Sequence, residues 1–237
     1  MRQQVNFRDL FLIEYGEAWK FQEDLLFKNT SIKSDAAKNN TVANTTHHLL
    51  FCEHPPVFTL GKSGKEEHVL ISKEELLKRN IGYYPTNRGG DITFHGPGQI
   101  VGYPIIDLEK FYRDIGKYLR SLEEVIILTL AHYGIQGERS QGETGVWIDP
   151  SIKIKARKIC AMGVRCSRWV TMHGFALNVN TDLSYFSSIV PCGIPDKQVT
   201  SLNKELGREV DMEEVKIIIK SNFEKVFDCD LVSSELE

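Results

Sequence analysis

The sequence predicts one α/β domain on a mixed sheet (α+β mixed sheet), and three observations lead there. Strand-like segments outnumber helical ones and are interleaved with them. No internal repeat and no linker divides the 237 residues. The composition, 41% hydrophobic and 26% charged, is that of a globular chain long enough to bury a core. Residues 1–237 are therefore read as one unit.

The apolar run FLIEY (11–15) reads as a short strand, and from Gly16 a helical period follows through Ala18, Phe21 and Leu25 until about Asn29. Residues 28–46 are polar and rich in Asn and Thr, which predicts a mobile loop. Two apolar runs within 48–59 are broken by Pro55 and Pro56, as in strands joined by a turn. Ser72 followed by Glu75 marks the start of a short helix up to Arg79. Residues 81–108 are β-like and glycine-rich, with RGGDITFHGPGQ at their centre, the pattern of a loop that hugs a ligand or another backbone. Ile115, Tyr118, Leu122, Val125, Ile126 and Tyr133 form the apolar stripe of the clearest helix. A second β region spans 145–180, and Asp211 with Glu214 opens a closing helix to Phe227.

Several function classes are excluded or weakened. Twenty-nine basic and 32 acidic side chains give a net charge of −3, which offers no global attraction to nucleic acid or anionic membrane. The five cysteines, Cys52, Cys160, Cys166, Cys192 and Cys229, are odd in number and lack CxxC spacing, against a disulfide scaffold or zinc ribbon. The start has no signal-peptide core and no apolar run approaches membrane-span length, so a reducing cytoplasm is expected. Neither a metal-ligand motif nor a GxxxxGK[ST] nucleotide loop is present.

Alternation along KIKARKICAMG places Lys158 with Ile154, Ala156, Cys160 and Met162, opposite Lys153, Lys155 and Arg157. A lysine on an apolar face is desolvated toward its neutral, reactive form, or else it snorkels to solvent. Cys192, between Pro191 and Gly193, sits on a turn of the kind that presents a nucleophile, whereas Cys52, Cys160 and Cys166 read as packing residues and Cys229 as tail. Whether Cys192 is reactive depends on a nearby cation, and Lys158 could supply it. His95 and His173 each precede a glycine and could orient a substrate or satisfy a turn.

The stretches RGGDITFHGPGQIVGYPIIDL (88–108) and GVWI…RKICAMGVRCSRWVTMHGFALNVNTDLSYFSSIVPCGI (145–194), with the spacing between them, closely resemble the octanoyltransferases of lipoate biosynthesis from about Leu50 to Leu202. The resemblance implies the catalytic-domain fold of the biotin/lipoate protein ligases. It also implies transfer of octanoyl from octanoyl-acyl carrier protein to a lysine of lipoyl domains, in the E2 subunits of 2-oxoacid dehydrogenases and in the glycine cleavage H protein. Carried onto this chain, the family's nucleophile falls on Cys192 and its acidifying lysine on Lys158. Its acyl contacts fall on Arg88, Gly89, Gly90, Asp91, Ile92, Thr93, Phe94 and His95, on Ala161, Met162 and Gly163, and on Gly174, Phe175 and Ala176. No cofactor is implied: no metal, no ATP, and a phosphopantetheine only on the carrier. A monomer that binds neither nucleic acid nor membrane is expected.

An ATP-dependent lipoate or biotin ligase is the nearest rival, but such ligases do not use a PCG cysteine, and HGPGQ replaces their HD-type continuation. A non-catalytic acyl-binding module would not need both Cys192 and Lys158. Residues 151–170 hold six basic side chains (Lys153, Lys155, Arg157, Lys158, Arg165, Arg168) and no acidic one, a candidate patch for an acidic carrier or else a solvated strand face.

Overall fold

A computed structural model describes residues 2–190 and 198–233. Its main sheet has nine strands: β1 (Gln3–Leu12), β2 (His48–Glu53), β6 (Gln99–Ile105), β7 (Glu138–Ser140), β8 (Glu143–Ile148), β9 (Arg157–Ser167), β10 (Val170–Asn178), β11 (Gln198–Val199) and β12 (Cys229–Ser233). Their order is β12-β1-β2-β6-β10-β9-β8-β7, with β11 beside β9. β1 runs parallel to β2 and β12, and β11 parallel to β9, while the other pairs are antiparallel, so the sheet is mixed as expected. A second sheet of three strands, β4 (Gly82–Pro85), β3 (Val57–Leu60) and β5 (Ile92–His95), lies in the order β4-β3-β5.

Both faces of the main sheet are covered. Leu49, Phe51, Ile100, Phe175 and Leu177 face helices α3 (Ile115–His132) and α5 (Met212–Phe227). Their strand neighbours Leu50, Val101, Tyr103 and Ala176 face α1 (Tyr15–Lys38). Two-sided burial explains why these strands read as continuous apolar runs rather than alternating ones.

Several expectations need correction. The first strand is β1, not 11–15: its mixed sequence is held by pairing on both sides, while Phe11 and Leu12 are exposed and Tyr15 already begins α1. Residues 28–38 are not a loop but the second half of α1. They lack an apolar period because they dock through hydrogen bonds and charge. Asn29 donates to Thr46 O at 2.7 Å and accepts from Thr46 N at 3.0 Å. Lys33 Nζ meets the buried Asp107 at 2.5 Å. Residues 41–47, which lack regular structure, are thereby pinned to the domain.

The strand containing Lys158 begins at Arg157, because 151–155 form turns and not an extended segment. Cys229 is fully buried in β12, not a tail residue. Ser72 accepts from Glu75 N, capping α2 (Lys73–Lys78) as predicted. Asp211 caps α5 through Glu213 N, one residue earlier than the expected box. A short α4 (Leu202–Leu206) follows β11.

Candidate active site

A cavity of about 740 Å³ opens between the small sheet and the middle strands of the main sheet. Of the residues the resemblance singled out, Arg88 to Thr93, His95, Lys158, Ala161 to Gly163 and Gly174 to Ala176 all line it. Phe94 does not. On β5 its side chain alternates away from Thr93 and His95, stacking on Tyr185 at 4.4 Å between ring centroids and packing edge-on against Phe58. Cys192 lies outside the described residues.

The RGG segment reaches the cavity wall because β9 has no side chain at one point. A Cβ on Gly163 would sit 2.5 Å from Gly89 O, a distance no side chain tolerates. Gly89 N donates to Val164 O at 2.9 Å, which fixes the loop on that strand. Asp91 holds the loop from the other side, pairing with His68 Nδ1 at 2.8 Å and accepting from Ile92 N at 2.6 Å.

A buried polar chain runs from this loop across the cavity floor. Arg88 Nη2 donates to Thr59 O at 2.6 Å and to Thr59 Oγ1 at 2.9 Å, and Thr59 Oγ1 stands 3.3 Å from His95 Nε2. His95 Nδ1 donates to Gln99 Oε1 at 2.7 Å, and Gln99 Nε2 donates to Asn178 Oδ1 at 2.8 Å. Asn178 Nδ2 then donates to Thr200 O at 3.0 Å, and Thr200 N donates to Lys158 O at 3.0 Å. Arg88 is thus linked, through hydrogen-bonded groups, to the backbone of Lys158. Burial and neighbouring His54 hold His95 well below its ordinary pKa, so it is neutral, with Nδ1 protonated as its contact with Gln99 requires.

His173, the other histidine the sequence pointed to, also lines the cavity and takes a left-handed conformation with φ 58°. Its Nε2 lies 2.8 Å from Asn87 Oδ1, its N–H donates to Gln22 Oε1 at 2.9 Å, and burial lowers its pKa to about 3. Tyr15, Gln99, Tyr103, Asn178 and Val199 line the cavity too, and sequence reasoning missed them. Gln99 had a signal, since it closes the HGPGQ loop. Tyr15 had none, because its place depends on where α1 packs.

At the opposite end, Lys158 Nζ lies 4.6 Å from the centroid of the Trp147 ring. Trp147 and Lys158 face each other across β8 and β9. Gly145, at φ +114°, makes room for this pairing: a Cβ there would be 2.5 Å from Cys160 O and 3.6 Å from Lys158 Cε. The buried carboxylate of Glu123 on α3 fixes the same strand, accepting from Gly145 N at 3.0 Å while pairing with Arg120 at 2.9 Å and Arg139 at 3.1 Å. On the other side of β9, β10 stops pairing at Cys160, and β11 takes over with Val199 opposite Lys158. The first described residue after the segment containing Cys192 is therefore Gln198, placed against Arg157.

The other four thiols are poor nucleophiles by environment. Burial pushes Cys52 and Cys160 far up, Cys166 up, and Cys229 up to about 12. No cluster of His, Cys, Asp and Glu fit for a metal ion occurs among the described residues. No described helix is long and apolar enough to cross a membrane.

Comparison with known proteins identifies the family of the chain. The family model "Lipoyl protein ligase A/B catalytic domain" matches residues 14–224. An octanoyltransferase of Christiangramia forsetii is 55% identical over 232 residues, covering 98% of this chain and 99% of that one. An octanoyltransferase of Flavobacterium psychrophilum is 54% identical over 233 residues, covering 98% and 100%. Among solved structures, a bi-partite lipoate protein ligase of Thermoplasma acidophilum superposes with a TM-score of 0.69 at 16% identity over 99% of this chain and 88% of that one, a likeness of fold. The chain belongs to the lipoyl protein ligase A/B catalytic-domain family and, within it, to the octanoyltransferases of lipoate biosynthesis.

Proposed function

We propose that the chain moves octanoyl from octanoyl-acyl carrier protein to the lysine of a lipoyl domain through a thioester on Cys192. The observation that supports this most directly is the cavity, with Lys158 at one end and a lining of apolar side chains, glycines and backbone along β9, β10 and the RGG loop. Its volume falls in the range of roughly 300–1,000 Å³ found for small-ligand sites, and an acyl chain needs the apolar, backbone-lined interior seen here.

The Cys192 thiolate attacks the carbonyl of the carrier thioester, the carbon–sulfur bond to the carrier breaks, and the carrier leaves as a thiolate that takes up the proton Lys158 gives up. Lys158, a cation at the strand end adjoining β11, favours the thiolate. In the second half, the neutral amine of the acceptor lysine attacks the Cys192 thioester, the amide bond forms, the carbon–sulfur bond to Cys192 breaks, and Cys192 leaves as the thiolate. The attacking nitrogen sheds a proton, which Lys158 accepts to restore the ammonium beside the Cys192 thiolate. Exchange of one thioester for another is nearly isoenergetic and amide formation is downhill, so the route needs neither ATP nor a metal. All of this suits a reducing cytoplasm, where Cys192 stays free.

Mass spectrometry tests the route. Incubation with octanoyl-carrier protein should add one octanoyl group, absent in Cys192→Ala, and ATP with free octanoate should add none. An unmodified wild-type chain would defeat the covalent route.

A further inference from the structure

The six basic residues between 151 and 170 do not form one patch. Arg165 and Arg168 lie at the far end of β9, on the order of 25 Å from Arg157 at about 3.3 Å per residue. Arg157 is neutralised, since Nε and Nη2 bind Glu205 at 2.6 Å each and Nη1 binds Asp149 at 2.6 Å. Lys158 points along the cavity wall. What remains is Lys153 and Lys155, both exposed and in no ion pair among the described residues, alternating with Ile152 and with Ile154, which is 82% exposed.

This turn joins β8 to β9 and so projects from the strand ends that carry Trp147 and Lys158. It is also stiff. Ile152 N donates to Asp149 O at 3.1 Å, Lys155 N and Ala156 N donate to Ile152 O at 2.7 and 2.8 Å, and Arg157 Nη1 donates to Lys155 O at 2.9 Å. Two unmatched cations flanking a large exposed apolar side chain, on a clamped turn next to the strand whose Lys158 lines the cavity, meet the requirements of a docking element: apolar anchor, charged rim and little ordering cost.

We propose that the 151–155 turn docks an acidic protein that carries the acyl group, the donor of the reaction proposed above, on which this inference rests. Charge selects an acidic partner. Reach selects the donor: Ile154 is four residues before Lys158, a standoff on the order of 10 Å. A long flexible thioester arm bridges that gap, whereas an acceptor lysine side chain presented from the same footing would fall short.

The test separates docking from chemistry. Carrier protein loaded with octanoyl through a non-cleavable amide is labelled, and its affinity for the full chain is measured by fluorescence anisotropy; turnover is measured with octanoyl-pantetheine, which has no carrier. K153E/K155E and Ile154→Ser should each weaken carrier binding about tenfold, with a shallower salt dependence for the charge reversal, while turnover of octanoyl-pantetheine stays within about twofold. R165E/R168E should leave carrier affinity unchanged. Unchanged affinity in the two turn variants, equal losses with octanoyl-pantetheine, or weakened binding of a lipoyl domain in place of the carrier would each overturn the proposal. If wild-type chain forms no octanoyl adduct, the parent reading fails, and the anisotropy measurement still decides the docking site.

Discussion

Lys158 Nζ stands 4.6 Å from the centroid of Trp147, a ring that is almost fully buried. The contact holds the Lys158 ammonium by its attraction to the ring face, worth about 0.5–2 kcal/mol. Trp147→Leu keeps apolar bulk but removes that attraction. It should reduce kcat about tenfold with a smaller change in KM for the carrier, and Trp147→Phe should recover part of the loss. Equal kcat in all three proteins would mean that the ring does not position Lys158.

Lys158 itself is assigned two tasks, and arginine separates them. Lys158→Arg keeps a positive charge but gives up its proton only above about pH 12. Octanoyl should therefore accumulate on Cys192 in this variant, with transfer to the acceptor slowed about 10²-fold or more, while Lys158→Ala should slow both halves. Quenched-flow mass spectrometry resolves the two steps.

Gly163→Ala tests the close approach between β9 and the RGG loop. The new methyl group would meet Gly89 O at 2.5 Å, so the loop must move. Overpacking of this kind costs about 1–3 kcal/mol. KM for the acyl thioester should rise severalfold while far-UV circular dichroism stays unchanged.

The polar chain beneath the cavity makes Gln99 more important to stability than its type suggests. Gln99→Leu would strand His95 Nδ1–H and Asn178 Oδ1, both now bonded to it. At about 1–3 kcal/mol for each buried group left unsatisfied, Tm should drop by several degrees. Differential scanning calorimetry measures it.

Buried and half-buried histidines set the acid limit of the fold. Burial lowers His47, His48 and His54 to about 4 and His173 to about 3. Each takes up a proton in the unfolded chain near pH 6.5 but not in the folded one, so the unfolded state binds more protons between those values. Stability is fully present above about pH 6.5 and is lost as pH falls toward about 4, by up to about 1.4 kcal/mol per unit for each such group. Urea denaturation at pH 7.5, 6 and 5 should show a midpoint that moves steadily down.

Much of this was legible in the sequence because it rests on local rules. The stripe from Ile115 to Tyr133 declares α3, and Ser72 declares α2. The glycines of RGGD mark a loop that approaches another backbone, and the structure shows that backbone to be β9 at Gly163, a position reached in the sequence only through the family resemblance. What could not be read depends on long-range partners. The second half of α1 is polar because its docking partners, Thr46 and Asp107, are polar. β1 and β12 complete each other's hydrogen bonding across more than 200 residues of chain, which no local pattern announces. The basic stretch failed for the opposite reason: adjacency along an eleven-residue strand is not adjacency in space.

Phe94 gives the cavity a second governor. Its strand presents Thr93 and His95 to the cavity and Phe94 to the core of the small sheet, where Phe58 and Tyr185 pack on it and Phe186 reaches from it to the cavity wall. The width of the cavity is therefore set partly by how tightly the hydrophobic layer behind it closes. In the proposed reaction, substitutions at Phe58 or Tyr185, which do not line the cavity, would retune which chain lengths are accepted, giving selection a dial for substrate choice that leaves the reacting groups alone.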